Sequence, residues 1–288
     1  MFASQFASPS TSGHALDRAG IMLSYWWRHG RLPNLDNPAL FTEQVQHRKL
    51  HDRDPRMPLL ADKVAVKAFV AERLGSEWLI PTLWHGRTLP SEPVWPVPFV
   101  VKTRHGCNQS RFVLDDRADW AEIRRASKGW MRSRYGAWLS EWVYRHIPRG
   151  LLIEPFVGTD GILPVDYKFF VFGGRVEYVQ VHLGRGRQHR WIVLDRAWRR
   201  LSAATADPNP ERPMALGRMI AAAERLSVGF AFVRVDLYEG SAGPLFGEMT
   251  FYPGSGLDRF NPVSLDMRLG DDWRRALTAH DVCLRQAA

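Results

Sequence analysis

The chain reads as an α+β protein assembled around antiparallel hairpins, and three features say so. Residues 231–256, AFVRVDLYEGSAGPLFGEMTFYPGSG, hold two alternating runs around a Gly/Pro turn. Residues 167–183 repeat the arrangement around Gly173-Gly174, a strong two-residue hairpin signal. Between such strands lie segments of helical period, 61–75 and 213–228, closed by Gly75 and Gly229.

The 231–256 hairpin carries the most chemistry. Strict alternation places Ala231, Val233, Val235 and Leu237 on one face and Phe232, Arg234, Asp236 and Tyr238 on the other. In the second run Phe246, Glu248 and Thr250 share a face. With residues 239–244 as the turn, Asp236 falls opposite Glu248 and Arg234 opposite Thr250. Paired strand residues have Cβ atoms about 5 Å apart, where like charges repel. A divalent metal between the carboxylates removes that conflict, and Mg²⁺ takes carboxylate oxygens at about 2.0–2.1 Å. The alternative is a solvated acidic hairpin with Arg234 as a surface ion-pair partner.

From the N-terminus, residues 1–11 are Ser/Ala-rich and read as disordered, 14–29 as a helix with the aromatic run Tyr25-Trp26-Trp27, and 37–50 as a capped helix. This part reads as a structural collar or as a cover for one side of a substrate cleft. In the 61–75 helix Asp62 is the N-cap candidate, and Lys63 sits in the first turn, where a lysine opposes the helix dipole unless an anion lies beyond it. The bland reading of Lys63 is a surface charge.

Residues 96–102 form an apolar strand ending in Lys102, followed by the loop TRHGCNQS and a strand at 111–114. Backbone N–H groups of such a loop, with a lysine beside it, can cradle phosphate. It is not a P-loop, because Gly-Lys-Ser/Thr and a following helix are missing. Residues 119–145 read as one or two helices rich in Trp and Arg. The strand 151–157, LLIEPFV, carries one acid, Glu154, which needs donors: an adenine amino group, a ribose hydroxyl or an Arg partner. Lys168 is an edge-strand charge or a second phosphate contact. The basic loop GRGRQHR, 184–190, is either solvated or holds a substrate carboxylate or glycan acid. A final helix is predicted over 271–284.

A formal charge of +9 and a pI near 9.9 call for an anionic partner, and nucleotide phosphates, nucleic acid and an acidic glycan fit that sign equally. No nucleic-acid readout motif accompanies the charge. Cys107 and Cys283 have no metal-type spacing, so a reduced, cytoplasmic setting is the expectation. No apolar run reaches the roughly 18 residues of a membrane span, which leaves a peripheral visit to the inner face of a membrane through basic surface as an option.

Taken in order, RDPRMPLLADKVAVKAFV, LIPTLWHG, PFVVKTRHG, LLIEPFVG, DYKFFVFGGRVEYV, FVRVDLYEG and GEMTFYPGSG, spread over residues 34–270, resemble the TupA-like branch of the ATP-grasp superfamily, associated with polysaccharide and teichuronopeptide biosynthesis. The resemblance implies two α+β lobes whose antiparallel sheets grip ATP. On that basis residues 96–158 form the small lobe with its phosphate loop and 159–270 the large lobe with a metal site. An N-terminal extension (1–33), a substrate-side lead-in (34–95) and a C-terminal helix (271–288) complete the chain.

Carried over by position, Lys63 and Lys102 resemble the nucleotide-phosphate lysines, and residues 105–110, with His105 and Gly106, the phosphate loop. Glu154, Phe156 and Val157 resemble the linker that recognises adenine and ribose. Asp236 and Glu248 resemble the Mg²⁺ ligands, with Thr250 as a weaker third, and Arg234 the residue that stabilises the transferred group. Lys168 resembles a further phosphate contact. Two departures stand out: Thr250 replaces the Asn common in ATP-grasp ligases, and the loop HGCNQS lacks a second glycine. The function implied is an ATP- and Mg²⁺-dependent carboxylate–amine ligase working through an acyl phosphate. Its carboxylate would be a uronic acid of a glycan or an amino acid, in the company of polysaccharide-assembly proteins. The alternatives are a non-catalytic glycan-binding scaffold and a kinase that stops at phosphoryl transfer.

Overall fold

A computed structural model describes residues 11–159, 161–183 and 190–287. The strands form two antiparallel sheets. The smaller has the order β1-β4-β2-β3, with β1 Trp84–Gly86, β2 Phe99–Thr103, β3 Ser110–Val113 and β4 Leu151–Pro155. The larger has the order β7-β6-β5-β8-β9, with β5 Asp166–Phe172, β6 Arg175–Leu183, β7 Arg190–Asp195, β8 Phe232–Gly240 and β9 Gly243–Thr250.

In the small sheet alternation divides labour cleanly. Phe99, Val101, Val113, Leu151 and Ile153 point one way and pack with Ile123 of helix α5, Trp120–Arg132. Their neighbours Val100, Lys102, Phe112 and Glu154, paired in register, share the opposite face. The side chain of Asp119 caps α5 by accepting the Glu122 N–H at 2.9 Å. Asp119→Ala is therefore expected to cost about 1 kcal/mol, read by urea denaturation.

One face of the large sheet is divided along its strands. At one end Phe170, Phe172 and Phe232 are covered by helix α2, Phe41–His51, and by helix α8, Val263–Ala287, through Phe41 and Trp273. At the other end the same face presents Asp166, Lys168, Asp236 and Glu248, in rows set by Lys168↔Asp236↔Glu248. Helix α7, Leu216–Leu226, backs the reverse face with Met219 and Ala223.

Several expectations are corrected. Helix α2 is no collar: Thr42, Glu43, Gln44, Gln46, Arg48 and Lys49 are all buried. Their polar groups are met internally, as when Arg48 Nη1 donates to the Phe232 carbonyl at 2.9 Å. The 61–75 helix is broken into α3, Arg56–Ala61, and α4, Val66–Leu74. Asp62 Oδ1 accepts the Val64 N–H at 2.9 Å and so makes a turn between them instead of an N-cap. Lys63 lies in that turn, and the dipole argument does not apply to it. Strand β1 sets residues from the expected lead-in into the small sheet, and α8 begins eight residues before the predicted 271.

The β8–β9 hairpin keeps the predicted pairs Asp236↔Glu248 and Arg234↔Thr250. Its turn is tighter, since Gly240 pairs with Gly243. A bulge at Gly247 moves Phe246 opposite Leu237, so Phe246 is buried on the other face from Glu248, contrary to simple alternation. Lys168 sits on the central strand β5, not an edge. Residues 1–10 and most of the GRGRQHR loop lie outside the described residues.

Candidate active site

On the small lobe, Glu154 is nearly inaccessible and holds Lys67 at 2.5 Å through one oxygen and Lys102 at 2.5 Å through the other. Lys67 also donates to the Ile80 carbonyl at 2.7 Å and to Thr82 Oγ1 at 2.5 Å. Burial pulls the Lys67 ammonium below its ordinary pKa, and Glu154 opposes this. Both carboxylate oxygens are thus engaged by lysines, so the donors that Glu154 needs are supplied within the chain by Lys67 and Lys102. Lys67 escaped the sequence reading because nothing in the α4 pattern separates it from a solvated lysine. Only the need of Glu154 for donors pointed to such a partner. Beyond the pair, Phe112, Phe156, Val157, Leu163 and Tyr238 line a cleft of about 130 Å³. Phe112 and Phe156 meet edge to face at 5.7 Å, leaving a flat apolar slot next to Lys102.

The phosphate loop is stitched to both lobes. Lys63 Nζ donates to the Gly106 carbonyl at 2.7 Å and lies 3.5 Å from Glu248 Oε2. Burial disfavours charge on Lys63, but Glu248 carries its pKa above the ordinary lysine value. A Cβ at Gly106 would meet the Tyr135 ring at 3.1 Å, so the loop accepts no side chain there without movement. Asn108 takes a left-handed φ of 58°. Asn tolerates that conformation, which explains how the loop manages without a second glycine. His105 is buried, its Nδ1 accepts the Gly150 N–H at 3.3 Å, and burial lowers its pKa. It supports the loop from behind through Gly150.

On the large lobe, the cation between the two acids belongs to the chain itself. Arg234 grips Asp236 bidentately, Nε to Oδ1 at 2.7 Å and Nη2 to Oδ2 at 2.7 Å, and Nη2 reaches Glu248 Oε1 at 3.4 Å. Lys168 pairs with Asp236 and, at 2.7 Å, with Asp166. Thr250 Oγ1 accepts from Arg234 at 3.1 Å and lies 3.3 Å from Glu248 Oε1, a bridge between the guanidinium and the acid. Arg234 is 8% exposed, so the solvated-hairpin alternative fails. Burial would push the Glu248 carboxyl up, but Lys63, Lys168, Arg234 and Lys102 together hold its pKa at about 2.

No group of three His, Cys, Asp or Glu side chains among the described residues forms a metal cage. The donor set suits a different arrangement. Mg²⁺ is commonly held by one or two carboxylates with phosphate and water oxygens completing the shell. Glu248, 24% exposed and approached at Oε2 by Lys63 at 3.5 Å, offers such a carboxylate; Asp236, closed in by Arg234 and Lys168, offers less.

The depressed pKa has a pH consequence. The unfolded carboxyl titrates near 4.3, so the contribution of Glu248 to stability is complete above about pH 4.3 and fades as pH falls toward about 2. In metal-free protein Glu248→Gln is expected to flatten that limb of the unfolding free energy against pH.

Two antiparallel lobes with cationic side chains facing one cleft define the ATP-grasp class. A profile of the family described as TupA-like ATPgrasp matches residues 43–274. The chain belongs to the TupA-like ATP-grasp family. Solved structures resemble it at low identity. D-alanine–D-alanine ligase from Bacillus anthracis complexed with ATP is 12% identical with a TM-score of 0.46, covering 80% of this chain and 68% of that one. The ATP-grasp ligase PsnB complexed with a minimal precursor is 11% identical with a TM-score of 0.43, covering 77% of this chain. The chain spans 62% of the length of PsnB. L-amino acid ligase from Bacillus licheniformis is 13% identical with a TM-score of 0.42, covering 75% of this chain and 43% of that one. Comparison with curated proteins finds no match. No helix among the described residues is long and apolar enough to cross a membrane.

Proposed function

We propose that the protein is an ATP-dependent carboxylate–amine ligase acting in the biosynthesis or modification of a cell-surface polysaccharide. The observation that carries this reading is a pair of lysine-held acids, Glu154 with Lys67 and Lys102 beside an apolar slot, and Glu248 with Lys63, near enough for the charge of Lys102 to act on Glu248 and that of Glu154 on Lys63. The slot takes the adenine ring against Phe112, Phe156 and Val157. Lys102, Lys63 and the backbone around Gly106 take the phosphates, with Lys168 behind them.

In the reaction an oxygen of the substrate carboxylate attacks the terminal phosphorus of ATP, the bond to ADP breaks, and an acyl phosphate forms. The amine then attacks the acyl carbon, inorganic phosphate leaves, and the amine proton passes to solvent. Arg234 neutralises charge on the group in transit, and the site accelerates mainly by positioning and fixed charge. Glu248, with Asp236 beside it and Thr250 orienting the acid, would hold Mg²⁺, which when bound would supply charge neutralisation on the phosphate oxygens. No protein nucleophile is required.

The closed-in Asp236 favours one second reading, a non-catalytic glycan-binding scaffold. ADP release with pooled amino acids, uronic-acid glycans and amines decides between them, with nucleotide binding measured in parallel. ATP binding without ADP formation on any carboxylate–amine pair excludes the ligase. A phosphorylated product that accumulates makes it a kinase.

A further inference from the structure

Helix α1, Thr11–His29, is apolar on two sides and packed on one. Its inner side is fixed to the body of the protein: Ile21 packs with Leu35 and Leu50, and the hydroxyl of buried Tyr25 shares a hydrogen bond with Thr42 Oγ1 at 3.0 Å. The other side carries Leu16, Ala19, Gly20, Leu23, Trp26 and Trp27, spaced by threes and fours so that they form one stripe without a charged side chain. Leu16, Leu23 and Trp27 expose 65–75% of their surface and Trp26 53%, and a Cβ on Gly20 would meet nothing within 4 Å. Trp138, also exposed, stands beside the helix, because Arg145 joins the Ala137 carbonyl at 3.2 Å to Asp17 at 3.1 Å. Apolar residues scattered singly over a surface need no explanation, but a continuous stripe marks a contact.

Charge at one end of the stripe indicates what that contact is. Arg28 Nε donates to the Leu257 carbonyl at 3.0 Å, and Arg259 Nε to the Arg28 carbonyl at 2.6 Å, which holds the two guanidinium groups together at the C-terminal end of α1. Among the described residues the nearby Arg31 is paired with Glu43, whereas Arg28 and Arg259 make no ion pair. Leu and Trp on one face with arginines at its edge are the composition of a segment that lies in a membrane interface: indole rings sit at headgroup level and cations meet lipid phosphates. A second copy of the chain fits less well, since a stable protein contact takes about 20–30 residues a side and the stripe is a single helix face.

We propose that α1 docks the protein on the surface of an anionic bilayer, with Leu16, Leu23, Trp26 and Trp27 at the boundary of headgroups and acyl chains and Arg28 and Arg259 against lipid phosphates. The helix lies in the interface and does not span it, in keeping with its mixed composition. Membrane contact is independent of the ligase reading, because α1 supplies none of the side chains of the nucleotide cleft.

The test is flotation of the full chain with vesicles of pure phosphatidylcholine and of a phosphatidylcholine–phosphatidylglycerol mixture, with sedimentation velocity run on the lipid-free protein. Leu23→Glu/Trp27→Glu changes two open side chains of the stripe; Leu23→Gln/Trp27→Gln serves if the charged pair misfolds. Wild type is expected to float with the mixed vesicles and far less with the neutral ones. The variant should partition at least about tenfold more weakly, through loss of two inserted apolar side chains, with its unfolding midpoint in urea unchanged. Absent flotation, which would leave the stripe to residues 1–10 or to a protein partner, would overturn the membrane assignment. So would equal flotation of the variant, equal flotation with neutral vesicles, or a solution dimer that the variant dissociates.

Discussion

Replacing Asp236 with alanine is expected to lower the free energy of unfolding by about 3–5 kcal/mol, the range for removing one partner of a buried ion pair. Arg234 and Lys168 are each less than a tenth exposed, and Asp236 is 1% exposed. Without the carboxylate, Arg234 would keep Thr250 and a 3.4 Å approach to Glu248, and Lys168 would keep Asp166. Two desolvated cations would then face each other at the centre of the sheet, and most of the loss comes from them. Urea denaturation of wild type and Asp236→Ala measures the change. The double variant with Arg234→Met should recover part of it, because the stranded guanidinium goes with its partner. A loss below about 1 kcal/mol would mean that water reaches this row, contrary to its burial.

Glu248→Gln should weigh more on turnover than on the fold: a loss of at most about 3 kcal/mol at neutral pH, the worth of a carboxyl held at about 2 instead of about 4.3, and a fall in ADP formation of at least about 100-fold, the scale for removing one preorganised charge contact at a reacting centre. Glu248 is the more open of the two acids and faces Lys63 and the phosphate loop. The isosteric amide keeps its shape and loses the charge that a metal–nucleotide complex needs. Denaturation and ADP release on the same preparation separate the two effects. Full turnover in Glu248→Gln would remove it from the metal site. The two acids, equivalent by spacing, thus divide into one that holds the sheet together and one that faces the ligand.

Short-range physics accounts for what was legible in the chain. Period-two alternation and the Gly173-Gly174 turn determine the β5–β6 pairing, and alternation together with a turn over 239–244 places Asp236 opposite Glu248, a pair that the structure reaches through a tighter turn and a bulge. Both depend on residues a few positions apart. The ordered motifs identify the family and the cleft-facing residues Lys102, Glu154, Phe156 and Val157. The Gly247 bulge was invisible because a lone glycine in a strand signals either a bulge or nothing, and only the pairing with Leu237 decides.

Tertiary structure alone decided who neutralises whom. Lys67 meets Glu154 across 87 positions, and Lys168 meets Asp236 across 68. Charge carries no periodicity from which such pairs can be read. The burial of α2 followed the same rule, since its polar side chains look solvated until the large sheet supplies carbonyls and rings around them. The sequence by itself determined the hairpin strands and most of the chemical inventory of the cleft, whereas the β8–β9 register needed the Gly247 bulge. The fold decided that the cation between Asp236 and Glu248 is first of all Arg234, because in a desolvated sheet the nearest guanidinium satisfies a carboxylate before any ion does.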